Sequence, residues 1–161
     1  MEESLKPTQT VIPARQPDWK MYSPLALAYM GDAVFDLMIR TAVVSRGNTQ
    51  PSKMHRQVSK IVCAGSQADM IHLLLPLLTE EEAAVFRRGH NADPHNTAKN
   101  ASRRDYLEAT GFEALLGYLF LNRRYERLQK LVEEGLAGTG HSDLKTSGMA
   151  QILQETDVRD L

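Results

Sequence analysis

The sequence predicts an all-α protein. Apolar residues recur at helical spacing through nearly the whole chain, capping signals stand where helices would begin, and no run alternates as a half-buried strand would. Ser23-Pro24 sets a capping hydroxyl before a proline at the first helical position, so a helix is predicted from Pro24 to about Ser45, with Gly47 as its stop. Pro51 can open a second helix. It continues through a weak point at Ala64-Gly65 into a third, which reaches Leu75 before Pro76. Thr79 and Glu82 form a capping box for a helix through Arg88. Gly89 to Ala101 clusters Asn, Asp, Pro, His and Thr and reads as an exposed loop. Ser102, with Asp105 three residues on, caps the next helix, which runs to Leu121 and turns at Asn122. An amphipathic helix spans about Arg124 to Ala137, and a short one is expected near Met149 to Gln154. The predicted organisation is an N-terminal arm over 1–20, one packed domain over 21–138 and a tail over 139–161.

The chain's 161 residues suffice for one domain with a real core. Cys63 is the single cysteine, which excludes an internal disulfide and a cysteine-based zinc cluster within one chain, and fits a cytoplasmic setting. No apolar stretch has the roughly 18 residues a membrane span requires, so no membrane partner is expected. A net charge of −1 argues against a protein that coats nucleic acid nonspecifically. The charge is uneven, however: Arg87 to Arg104 holds five Lys/Arg and one acid, whereas Tyr125 to Leu161 holds four and seven. Such a basic strip is either a solvated face or a cradle for a phosphate backbone.

The chemistry concentrates in the two most apolar helices. Asp32 stands in Leu25–Ile39, apolar around its whole circumference and so expected to be buried on most sides. Glu113 is the only charge in Phe112–Leu121, with no Lys or Arg three or four residues away. A buried carboxylate without a partner costs several kcal/mol or gives up its charge. Two of them suggest a shared divalent cation, because hard cations take oxygen ligands. The alternative is that each acid reaches solvent at a helix edge or pairs with a distant arginine.

At these residues the chain resembles a known family. Tyr29-Met30-Gly31-Asp32-Ala33-Val34 and Phe112-Glu113-Ala114-Leu115-Leu116-Gly117 resemble, in order and separation, the two signatures of ribonuclease III. Further stretches, Thr79 to Asn91 and Lys99-Asn100-Ala101 through Leu121, resemble the Mini-ribonuclease III branch, which lacks a double-stranded-RNA-binding domain. The resemblance covers about Tyr22 to Ala137. Longer ribonucleases III carry two additional acids per site; the corresponding positions here are Ala28 and Thr110, a reduced set that matches the Mini branch and puts a tightly bound second metal in doubt.

The resemblance implies a ribonuclease III endonuclease-domain helical bundle. It implies a Mg²⁺-dependent endoribonuclease (Mn²⁺ substituting) that cuts double-stranded RNA as a cytoplasmic homodimer and leaves 5′-phosphate and 3′-hydroxyl ends. The substrate it implies is the 23S ribosomal RNA precursor. Asp32 and Glu113 would be the catalytic metal ligands. Asp36 could support them from one turn away or simply pair with Arg40; Thr110 could hydrogen-bond a metal water or simply pack. Lys99, Arg103 and Arg104, then Arg87 and Arg88, are candidates for RNA phosphates. His90 and His95 read as exposed loop residues, and His55 and His72 as helix-face residues. Two other classes stay open: a non-catalytic RNA-binding or ribosome-associated protein on the same fold, and a helical interaction module with structural acids.

Overall fold

Nineteen residues, Arg103–Leu121, form the central helix α5, which is buried on nearly every side from Glu108 to Leu119. In this computed structural model, which describes residues 18–92, 102–146 and 148–155, the other helices pack around it. They are α1 (Pro24–Ser45), α2 (Pro51–Val62), α3 (Ala64–Leu74), α4 (Glu80–His90), α6 (Tyr125–Gly138) and α7 (Met149–Glu155), with single 3-10 turns at Trp19–Met21 and Leu75–Leu77. The described residues contain no strand, as the periodicity requires. Ser23 Oγ accepts from Ala26 N, Thr79 and Glu82 form the reciprocal capping box, and Ser102 Oγ accepts from Asp105 N.

The α1–α5 crossing decides the geometry of the site. A Cβ on Gly31 would stand 1.7 Å from the Glu113 carbonyl oxygen, and one on Gly117 would stand 2.0 Å from that of Leu27. Only glycine admits backbone so close to backbone, so these two positions bring α1 and α5 into direct main-chain contact. Phe35 and Phe112 meet edge to face beside it, with ring centroids 5.5 Å apart.

Several expectations are corrected. The helix opened by Thr79 continues through Gly89 to His90, because Gly89 packs against Gly111 and Ala114 of α5. Pro76 lies inside a 3-10 turn rather than beyond it, since α3 has already ended at Leu74. The weak point between α2 and α3 falls one residue earlier, at Cys63, whose ψ of 155° breaks the helix. Before α1, Trp19 is buried against α1, α4 and α5. After α6, Leu144 and Met149 join the main core.

Candidate active site

Gly31 and its successor Asp32 sit at the α1–α5 contact, and Glu113 supplies the carbonyl against which Gly31 rests. The two acids predicted from sequence are therefore brought together. Their surroundings differ from the expectation in one respect. Glu113 is partly buried, but Asp32 is exposed. The reason is the face that α1 leaves uncovered: Leu25, Tyr29, Leu37 and Val44 form an exposed apolar stripe along it, Tyr29 being 82% accessible. A helix apolar all round is here covered on one side only.

Burial pushes the Glu113 carboxyl up to about 7, the nearby negative charge of Asp32 pushes the same way, and a hydrogen bond from Gln67 opposes both. No lysine or arginine contributes to that balance. Glu113 thus has no protein countercharge among the described residues, a condition that favours a bound cation. Among the described residues, no third His, Cys, Asp or Glu completes a cluster around them.

Gln67 is a functional candidate that the sequence reading missed. It projects from α3, is 2% exposed, and its Nε2 donates to Glu113 Oε1 at 3.1 Å and to the Val62 carbonyl at 2.8 Å. The available signal was a glutamine in register with Met70, Ile71 and Leu74 on the buried face of a helix.

The supporting residues resolve differently. Asp36 accepts from Arg40 Nε at 2.6 Å on the surface of α1, so the local-pair alternative is the one adopted. Thr110 is buried and donates its hydroxyl to the Tyr106 carbonyl at 2.9 Å, a packing role. Arg87, Arg103 and Arg104 are exposed. Arg104 leans on Glu108, its Nε 3.2 Å from Oε1. Glu108 is buried at 7% exposure and also takes a 2.8 Å hydrogen bond from His72. Burial would raise the Glu108 carboxyl, but the hydrogen bonds from His72 and Arg104 outweigh it and hold the group below its usual range. Arg88 is committed elsewhere: it donates to the Lys20 and Tyr22 carbonyls at 2.8 and 2.9 Å, pinning the segment before α1. Lys99 and His95 lie outside the described residues.

Known proteins resemble this chain over most of its length. Residues 25–124 match the Ribonuclease III domain. The chain is 42% identical over 130 residues to Mini-ribonuclease 3 of Enterococcus faecalis, covering 80% of this chain and 98% of the relative. It is 39% identical over 120 residues to Mini-ribonuclease 3 of Brevibacillus brevis, covering 74% and 90%. A crystal structure of a protein from Fusobacterium nucleatum superposes with a TM-score of 0.68 at 28% identity, covering 76% of this chain and 98% of that one.

Proposed function

Because the chain belongs to the ribonuclease III family, within its Mini-ribonuclease III branch, and is an endoribonuclease acting on double-stranded RNA, we propose that Asp32 and Glu113 form its catalytic metal site. In this reading Mg²⁺ is the cofactor, Mn²⁺ can replace it, and the products carry 5′-phosphate and 3′-hydroxyl ends. The observation that carries the proposal is the convergence of two carboxylates, one of them raised to about 7 by burial and by the other's charge, with no lysine or arginine of the described residues offsetting it.

These residues suit a hard divalent ion. Mg²⁺ commonly takes one or two carboxylates and completes its shell with water and phosphate oxygens. When bound, it would shield the phosphodiester's charge and lower the pKa of a water at the site. The chain's own contribution is positional. Glu113, held at the Gly31 contact, must shed its proton to bind a cation, so occupancy rises as pH passes through about 7. Asp32 is exposed, so a phosphate of the duplex can reach it. Exposed Arg87, Arg103 and Arg104 would hold phosphates without reading bases, as duplex RNA recognition requires; Lys99 belongs to the same proposed strip.

The exposed stripe of α1 supports a homodimer. A row of large apolar side chains beside an active-site acid is the kind of surface a second copy covers. Pairing two such copies would put two sites on one duplex, one for each strand. No described helix is long and apolar enough to cross a membrane. From its resemblance to the Mini-ribonuclease III branch we propose that the enzyme acts in the cytoplasm on the 23S ribosomal RNA precursor.

The test is direct. Wild type, Asp32→Asn and Glu113→Gln are incubated with double-stranded RNA and Mg²⁺ or Mn²⁺. Cleavage by wild type alone is expected. Undiminished cleavage by either variant would refute the assignment of the two acids.

A further inference from the structure

Gln67 is buried at a cost that stability does not explain. It lies on the inward face of α3 beside Ala68, Met70, Ile71 and Leu74, all at most 2% exposed. A methionine or leucine would fill that space without desolvating an amide. Among the described residues the glutamine's own Oε1 is buried with no hydrogen-bond partner, a further penalty.

The orientation of the amide is not ambiguous. Nε2 faces the Val62 carbonyl at 2.8 Å and Glu113 Oε1 at 3.1 Å. The carbonyl can only accept, so turning the amide over would set oxygen against oxygen there. The backbone explains why Val62 is available. In an unbroken helix its carbonyl would accept from the amide four residues on, but the chain leaves the helix at Cys63 with ψ 155°. The break between α2 and α3 thus provides an anchor for one amide proton, and the planar group aims the other at Glu113.

We propose that Gln67 is a positioning residue. Tethered to the Val62 carbonyl, it holds Glu113 Oε1 so that the carboxylate presents its other oxygen to the cation. The proposal rests on the assignment of Glu113 as a metal ligand. It predicts that substitution weakens metal binding while the fold is kept, because the residue orients a ligand. Hydrogen-bonding partners of metal ligands typically contribute 10- to 100-fold in affinity.

The experiment uses the full chain without RNA. Mn²⁺ binding is measured by electron paramagnetic resonance for wild type and Gln67→Met, alongside thermal unfolding in EDTA and the Mg²⁺ concentration giving half-maximal cleavage. Gln67→Met should still fold, bind Mn²⁺ about tenfold more weakly, and need correspondingly more Mg²⁺. Its cleavage rate should recover at saturating metal. Unchanged Mn²⁺ affinity in the folded variant would overturn the proposal; should the variant not fold, the wild-type resonances decide. Nuclear magnetic resonance of the wild type gives an independent reading: the Gln67 side-chain amide signals should shift on adding Mg²⁺, and stationary signals count against the role. If wild type itself takes up no Mn²⁺, the metal-site assignment fails. If wild type binds and Gln67→Met binds equally, only the role of Gln67 fails.

Discussion

Glu113→Gln should stabilise the metal-free protein, by an amount that depends on pH. The folded state raises this carboxyl from 4.5 to about 7. Each tenfold change in proton affinity is worth about 1.4 kcal/mol. Between those two values the folded chain holds a proton that the unfolded chain has released, so stability falls as pH rises through the interval. Above pH 7 the full cost, about 3 kcal/mol, is present; below pH 4.5 it vanishes. Glutamine keeps the shape and can still accept the hydrogen bond from Gln67, but carries no charge to desolvate. At roughly 2–4 °C per kcal/mol, Glu113→Gln should melt on the order of 10 °C above wild type at pH 8.5 in EDTA, and close to it at pH 4.5. Thermal unfolding by circular dichroism at fixed protomer concentration measures this. Excess Mg²⁺ should then raise the wild-type midpoint at pH 8.5 and leave the variant unmoved. Equal shifts at both pH values, or a variant less stable than wild type at pH 8.5, would refute the claim that Glu113 carries an uncompensated charge.

Other perturbations probe the rest of the structure. Gly31→Ala and Gly117→Ala each force a Cβ into a facing carbonyl and should cost at least the 1–3 kcal/mol usual for overpacking, read by urea denaturation. Arg127→Met strips the partner from Glu82, which is 2% exposed and accepts from Arg127 at 2.9 and 2.8 Å; about 3 kcal/mol should be lost at pH 7. Burial would raise Glu82, but the Arg127 hydrogen bonds hold it below 4.5, so this difference should shrink as acidification protonates it. Arg88→Ala should speed hydrogen exchange around Lys20–Tyr22 while weakening RNA binding less than Arg87→Ala, which should reduce the salt dependence of binding by about one phosphate contact. Tyr29→Arg should shift the sedimentation coefficient toward a monomer and lower cleavage with it.

Most of the secondary structure was legible in the sequence because its signals are local. A capping hydroxyl at Ser23, Thr79 or Ser102 acts on an amide three residues away, and a proline at Pro24 or Pro51 acts on its own backbone. The pair Asp32 and Glu113 was also visible, since each acid stands among apolar neighbours in its helix. The exposure of Asp32 was not legible. A helix apolar on all sides does not say which side its own chain will cover, and only the Gly31–Glu113 contact with α5 decides that. Gln67 was hidden for a related reason: its partner is 46 residues away, and its anchor exists only because the helix breaks at Cys63. Arg88, set in a basic strip, could not be separated from its neighbours until folding brought the Lys20 and Tyr22 carbonyls within reach. Helix boundaries follow from forces acting within a turn, and sequence records those. The charge balance of Glu113 is set by groups that meet only when distant helices pack, and that is what tertiary structure alone decided.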